Sequence, residues 1–377
     1  MFKNIKGEQV KKTKVLIVMG GSYMGYGGIE SMVMNYYRHI NKDNVQIDFV
    51  FFGDGEGLYD EELLSNGSRL FHLPIKSKHY FKSKQAMRDL LLTEKYDVVH
   101  ANLNAAGILE AMKMAKKCAV PMRVAHAHST NHGTVNKIRW FLNDFARKNI
   151  FKYSTHNFAC SDIAGQWYYA DRNFTIVPNA VKTERFLFNQ EARDRVRKEN
   201  QCGDNLIVGH VGNLGYPKNQ RFLLEVFARL VEKRTNAQLW LIGEGEEREE
   251  LEEFAKTLNI SSKVQFLGKR DDVHLLMQAM DVFVLPSLFE GFPVVVVEAV
   301  AADLPCVISD SITKMARLSD RVRMVSLEDS IDKWVSEIEE VSCQERQNTL
   351  ELITEKGFNI AVEAKKLEHF YCTGRYE

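Results

Sequence analysis

The stretch "DVFVLPSLFEGFPVVVVEAVAADLPCVIS", residues 281–309, decides the fold. Val282–Leu285 is a short apolar run closed by Pro286 and Ser287, as expected of a strand covered on both faces. Val294–Ala302 reads as an apolar helix, with Pro293 expected at its first position, where a missing N–H costs nothing. Pro305–Ile308 is a second buried strand. Strand, helix and strand in such close succession make a parallel βαβ unit. The connecting loop, Leu288–Phe292, presents backbone N–H groups at a helix start, beside the positive end of the helix dipole. Gly291 lets a phosphate approach that backbone closely. Glu290 precedes the helix and Glu298 lies in its second turn, so both can face one ligand. A carboxylate accepts paired hydrogen bonds from vicinal hydroxyls, as on a ribose or a hexose. The plainer reading is that Glu290 stabilises the helix start and Glu298 is solvated. Glu298 however sits among Val294–Val297, Ala299 and Val300, poor surroundings for a solvated carboxylate.

Outward from this unit the same alternation continues. Strands are expected at Val15–Met19, Gln46–Phe52, Asp97–His100, Met122–His126, Asn157–Cys160 and Phe174–Val177. A second series begins within residues 205–212 and continues at Gln238–Ile242 and Val264–Leu267. Helices are expected at Ile29–Ile40, Lys84–Glu94, Arg221–Arg234 and Arg248–Leu258. Near-continuous apolar strands alternating with helices imply α/β domains built on parallel sheets. A polar, strand-poor segment after Val181 separates the two series. The expected organisation is a Rossmann-like domain over 1–182, a second over 183–357, and a closing helix over 358–377 that packs back on the first domain. Ligands of such paired sheets lie at the strands' carboxyl ends, in an interdomain cleft.

With 377 residues, 45% of them apolar and 27% charged, the chain is long enough for two cores. Lys+Arg and Asp+Glu both number 50, so no global charge points to nucleic acid. Six cysteines lie scattered without a CxxC pair. Cys160 and Cys306 border apolar runs and read as reduced core residues, which fits a cytoplasmic protein. No apolar stretch approaches the roughly 20 residues of a membrane span.

Four further segments belong with the opening one: "YGGIESMVMNYYRHI", "VPNAVKTERF", "VGHVGNLGYPKNQRFLLEVFARL" and "LWLIGEGEEREELEEFAKTL". Together and in this order they resemble the retaining glycosyltransferases of family 4, which have the GT-B fold. The resemblance spans nearly the whole chain and is strongest to bacterial capsule and exopolysaccharide transferases. It implies that Glu298 holds the ribose of a nucleotide sugar and Glu290 the hydroxyls of the transferred sugar. The backbone N–H groups of Gly291, Phe292 and Val294 would surround the diphosphate, and Lys218 would neutralise it as it leaves. It also implies chemistry without a metal or other cofactor, and no Asp-x-Asp motif stands at a strand end. A UDP-sugar is the expected co-substrate.

Two positions depart from the family pattern. Asn213 follows Gly212 where an arginine is usual, a loss of about 1.5–3 kcal/mol of charge-assisted bonding. Arg270 is the candidate substitute. Asp303 stands where the family prefers glycine.

The first half should take the acceptor. "GGSYMGYGGIE" opens a helix at Ile29, and Gly27 and Gly28 allow an anion close to its start. The loop is too long for a G-x-G-x-x-G fingerprint, which argues against NAD, and Asp48 and Asp54 read as ordinary strand and turn residues. "RVAHAHSTNHG" brings His126, His128 and His132 close together without a carboxylate to complete a metal site. The family resemblance makes His128 the candidate, with His126 as fallback, positioning the sugar or stabilising charge beside the anomeric carbon. "KSKHYFKSK" (76–84) and "KIRWFLNDFARKNIFKY" (137–153) interleave basic and aromatic residues, as on a surface that meets anionic lipid. Ordinary solvated helices explain them equally well.

The sequence thus points to a hexosyltransferase acting on a saccharide or polyprenyl-linked acceptor in surface-polysaccharide synthesis, peripheral to the inner membrane face. A nucleotide-sugar 2-epimerase of the same fold and a catalytically weak binding protein are the competing readings.

Overall fold

The structure is a computed structural model that describes residues 11–102, 105–130, 137–342 and 345–377. His132 and Cys343 lie outside the described residues. Two compact units divide the chain, one formed by 1–180 with 360–377 and the other by 181–359. The boundaries thus fall after Ala180 and Asn359 rather than after 182 and 357. Both linkers are tied within the second unit, where Val181 donates to the Phe358 carbonyl at 2.9 Å.

The first unit alternates β1 (Thr13–Met19), α1 (Gly28–His39), β2 (Val45–Phe52), α2 (Asp60–Ser65), β3 (Leu70–Leu73) and α3 (Lys76–Glu94). It continues through β4 (Val98–Asn102), α4 (Ala105–Lys117), β5 (Met122–Ala127), α5 (Lys137–Arg147), β6 (His156–Ala159), α6 (Asp162–Tyr169) and β7 (Thr175–Ile176). The second unit begins with α7 (Gln190–Glu199), β8 (Leu206–Val211), α8 (Gln220–Lys233), β9 (Ala237–Ile242), α9 (Arg248–Thr257) and β10 (Val264–Gly268). It is completed by α10 (Val273–Ala279), β11 (Val282–Leu285), α11 (Val294–Ala301), β12 (Cys306–Ser309), β13 (Val322–Val325), α12 (Ile331–Val341) and α13 (Leu350–Glu355). Last comes α14 (Ile360–Thr373), which returns to the first unit.

Both sheets are parallel. The first has the order β3-β2-β1-β4-β5-β6-β7 and the second β10-β9-β8-β11-β12-β13. Each reverses its winding at one point, between β1 and β4 or between β8 and β11, and doubly wound sheets take ligands beyond the strand ends at such points. Helices cover both faces of the first sheet. Ile360, Ala364, Leu367, Phe370 and Tyr371 of α14 close one side against Val15, Ile17 and the buried stripe of α1.

Asp48 is not the ordinary strand residue expected. It is fully buried in β2 and accepts from Arg69 Nη2 (2.6 Å), Tyr96 Oη (2.7 Å) and Gln46 Nε2 (2.9 Å). Burial raises its pKa, but the bonds from Arg69, Tyr96 and Gln46 outweigh that and hold the carboxyl below its usual value. Asp303 likewise has a structural task. It follows α11 with φ 48°, the left-handed conformation that makes glycine the usual residue at a helix end. Its buried carboxylate accepts from the Gln347 N–H at 2.5 Å and lies 3.1 Å from Arg321 Nη1, which supports an aspartate in a conformation it adopts at a cost.

Candidate active site

In the second unit the loops after β8 and β11 meet at the winding reversal. The loop after β8 runs from Gly212 to Asn219, which adopts a left-handed conformation (φ 57°, ψ 43°) before α8. Asn219 Nδ2 donates to the Pro286 carbonyl at 3.2 Å, and the Leu288 N–H donates to the Pro217 carbonyl at 2.9 Å. These bonds fix the β11–α11 loop against the β8–α8 loop. They bring Lys218 Nζ to 2.5 Å from Glu290 Oε1, across 72 residues of sequence. Ser287 Oγ donates to the same oxygen at 3.0 Å. Both charged side chains are largely shielded, at 19% and 16% exposed, so the attraction between them is little screened. Gly212 makes room for the lysine stem: a Cβ there would lie 3.1 Å from Lys218 Cε.

The loop after β9 supports the first from below. A Cβ on Gly243 would stand 2.0 Å from the Gly212 carbonyl oxygen, and one on Gly245 2.0 Å from that of Leu214. Leu214 in turn donates to the Glu244 carbonyl at 3.0 Å. Backbone rests on backbone here, which only glycine permits.

His210 lies fully buried behind the site. The Val284 carbonyl can only accept, so His210 Nδ1 donates to it (2.9 Å) and Nε2 accepts from Gln220 Nε2 (3.1 Å). Burial pushes the His210 pKa down to about 4, which keeps the ring neutral. Gln220 also donates to the Asn213 carbonyl at 2.9 Å, so the pair holds the loop. The Asn213 side chain is exposed.

Pro293 stands one position earlier than expected. It is the N-cap of α11 (φ −80°, ψ 96°), and its carbonyl accepts the first-turn bond from Val296 at 3.0 Å. Phe292 stacks on Phe358 with ring centres 5.0 Å apart, which anchors the loop. Glu298, in the second turn of α11, is partly buried, and desolvation raises its pKa to about 7; the Arg185 guanidinium opposes this. A carboxyl so poised gains most from a ligand whose hydroxyls bond its charged form. Arg270, the expected substitute cation, is engaged by Asp272 through bonds of 2.8 and 2.6 Å. Arg185 is the cation that acts on Glu298, and it donates to the Asp271 carbonyl at 2.8 Å.

In the first unit the candidate residues gather at the ends of β4 and β5. His128 follows β5 and its Nε2 lies 2.8 Å from Asn102 Oδ1, an acceptor, so Nε2 carries the proton and Nδ1 the lone pair. The His126 ring lies 4.0 Å from that of His128, as expected for alternate residues on one face of a strand. His126 Nδ1 is 3.0 Å from His100 Nε2, and His100 Nδ1 is 2.7 Å from Tyr371 Oη. Burial pushes His100 and His128 down to about 3 and His126 well below the ordinary value. His128 is therefore a neutral hydrogen-bonding group, which can position a sugar or stabilise nearby positive charge through its Nδ1 lone pair. Among the described residues no group of three or more His, Cys, Asp and Glu side chains is placed to hold a metal ion.

Gly27 is the N-cap of α1 in extended backbone. A Cβ on it would lie 2.2 Å from Glu30 Oε2, so the Glu30 carboxylate fills the space where an anion was expected. A Cβ on Gly28 would meet nothing within 4 Å.

His210, Gln220, Ser287, Arg185 and His100 were not singled out from the sequence. All but His100 lie in or beside a motif that was, and none has a spacing that announces its partner.

A model of the group 1 glycosyl transferases matches residues 192–349, and one of glycosyltransferase family 4 matches residues 26–185. The "Putative glycosyltransferase EpsF" of Bacillus subtilis (strain 168) is 38% identical over 336 residues, covering 86% of each chain. The UDP-Gal:α-D-GlcNAc-diphosphoundecaprenol α-1,3-galactosyltransferase of Escherichia coli is 26% identical over 333 residues, 82% of this chain and 85% of its own. Among solved structures, Anabaena Alr3699/HepE in complex with UDP and glucose matches with a TM-score of 0.73 at 18% identity, covering 94% of both chains. That likeness establishes the shared GT-B fold.

Proposed function

Because the chain belongs to the glycosyltransferases of group 1 and family 4, we propose that it moves a hexose from a UDP-sugar to a lipid-linked saccharide in bacterial surface-polysaccharide synthesis, with retention at the anomeric carbon. The observation that carries this reading is the convergence of Lys218, Ser287 and Glu290 at the winding reversal of the second sheet. The N–H groups of Gly291, Phe292 and Val294 lie in the same loop and helix start, where a diphosphate is favoured.

In this reading Glu298 accepts from the ribose hydroxyls and Glu290 from those of the sugar. The bond from the anomeric carbon to the diphosphate oxygen breaks, and one to the acceptor oxygen forms on the same face. The acceptor's proton passes to the departing diphosphate, whose charge Lys218 offsets, so no metal is needed. On the first unit, His128 offers its neutral Nδ1 to a sugar hydroxyl.

The E. coli relative's name specifies a diphosphoundecaprenol-linked acceptor, which favours a lipid-linked substrate here. Ile138, Phe141, Leu142 and Phe145 form one exposed apolar stripe on α5, with Ile138 74% exposed, and Phe81 on α3 is 82% exposed. We assign these side chains to contact with an anionic membrane surface. No helix among the described residues is long and apolar enough to cross a membrane.

The test is incubation with UDP-glucose, UDP-galactose and UDP-GlcNAc, with and without a saccharide on a lipid diphosphate. Expected is acceptor-dependent product with the donor's anomeric configuration, lost in Glu290→Gln. An epimerised sugar without acceptor would overturn the transferase reading.

A further inference from the structure

Outside the sites already described, a cavity of about 410 Å³ lies between α3 and α4 of the first unit. Its floor is apolar, with Phe52, Met87 and Met114 among the lining residues. A hollow beside it shares Lys84, Met114 and Lys117. Lys76, Lys82, Lys84, Arg88, Lys113 and Lys117 line the two, against Glu110 as the one carboxylate. The chain as a whole is neutral. Six cations about one carboxylate are therefore a local concentration of charge.

Ser83 supplies an independent observation. It begins the buried stripe Ser83, Met87 and Leu91 of α3, and its side chain lines the cavity. The residue is 1% exposed and its hydroxyl has no hydrogen-bond partner. A helical serine ordinarily bonds the carbonyl four residues back. Here that residue is His79, where the helix breaks (φ −140°, ψ 52°). The break also separates Lys76 from the rest of α3. Lys76 Nζ lies 4.0 Å from the centre of the Phe52 ring and 3.2 Å from Glu110, and burial lowers its pKa.

We propose that this cavity binds the phosphate end of an amphiphile, its anionic head held by Lys76, Lys84, Lys113 and Lys117 with a bond from Ser83, and its apolar part against Phe52, Met87 and Met114. A simple phosphate leaves the floor uncovered, and an uncharged apolar ligand leaves the lysines and the Ser83 hydroxyl unmatched. An isoprenoid diphosphate has both parts. The site concerns binding alone and lies in the opposite unit from the diphosphate loop of Lys218 and Glu290, so its failure leaves the donor reading intact.

The test is titration calorimetry of the full chain with farnesyl diphosphate, with inorganic pyrophosphate and with phosphatidylglycerol vesicles. Farnesyl diphosphate should bind at least tenfold more tightly than pyrophosphate. Ser83→Ala should weaken it severalfold without lowering the melting temperature, since it removes an unpartnered buried hydroxyl. Lys84→Glu combined with Lys117→Glu should weaken it at least tenfold while UDP binding is unchanged. Equal affinity for pyrophosphate and farnesyl diphosphate, binding to vesicles alone, or no effect of Ser83→Ala would each overturn the assignment.

Discussion

On the proposed placement of Glu298 at the ribose, its carboxyl should set how tightly a nucleotide sugar binds as pH changes. In the ligand-free protein its pKa is raised to about 7 by burial, with Arg185 opposing. A group with that midpoint is about 1% ionised at pH 5, half ionised at pH 7 and about 90% ionised at pH 8. If the ribose hydroxyls bond the carboxylate, binding requires loss of that proton. The neutral form prevails below pH 7, so affinity rises with pH through this window and flattens above it. From pH 5 to pH 8 the gain is about 90-fold, or roughly 2.7 kcal/mol. UDP-glucose is the proper probe because its diphosphate, esterified at both ends, does not titrate in this range, whereas the terminal phosphate of UDP does. Calorimetry in two buffers of different ionisation enthalpy should count about 0.9 proton released per ligand at pH 6. Glu298→Gln should abolish both the slope and the proton release. Arg185→Met should move the midpoint upward, because the guanidinium favours the charged form. His210, behind the loop, is pushed down to about 4 and stays neutral across this window. An affinity flat between pH 5 and 8, or an unaltered slope in Glu298→Gln, would refute the placement of Glu298 on the ribose.

Lys218→Met should weaken UDP-glucose by about 10- to 100-fold, since it removes a charge-assisted contact and leaves the Glu290 charge facing the diphosphate without the offset that Lys218 provides. Glu290→Gln should instead leave UDP binding intact or stronger while transfer is lost, and comparing the two variants by calorimetry and turnover separates the roles. Gly245→Ala should destabilise the second unit by about 3 kcal/mol, because its Cβ would fall 2.0 Å from the Leu214 carbonyl oxygen; a thermal melt reads this. Acid should destabilise the first unit. His100, His126 and His128 are neutral when folded but titrate near 6.5 when unfolded, so below that pH the unfolded chain binds more protons. Stability should fall by about 1.4 kcal/mol per pH unit for each of the three, and the slope in denaturant midpoints from pH 6 to 4.5 should shrink in His126→Asn.

The doubly wound fold was legible because central parallel strands are apolar on both faces, so runs such as Val282–Leu285 stand out against their helices. The strands that escaped reading, β3 and β13, are sheet edges. Leu70–Leu73 has one buried residue and Val322–Val325 contains Arg323, so neither shows a continuous run. The start of α3 escaped for a related reason: it is charged, lacks helical periodicity and is broken at His79. The candidate carboxylates Glu290 and Glu298 stand out in the sequence by their greasy surroundings, and Lys218 only by a family resemblance. Partnerships closed by topology could not be read at all. Tyr371 meets His100 across 271 residues, and Asp48 is made tolerable in the core by Arg69 and Tyr96, which local sequence does not reveal.

The return of α14 to the first unit has a consequence for biosynthesis. The whole of the second unit lies between that helix and the sheet it covers. A ribosome adding about 5–20 residues per second needs roughly 10–40 s to pass from Val181 to Asn359. During that interval the nascent first unit carries an uncovered apolar strip along α1, β1 and β2. The second unit, contiguous in sequence, is free to fold before the first is closed, although it is made later. Order of synthesis and order of completion are thus opposite in this chain.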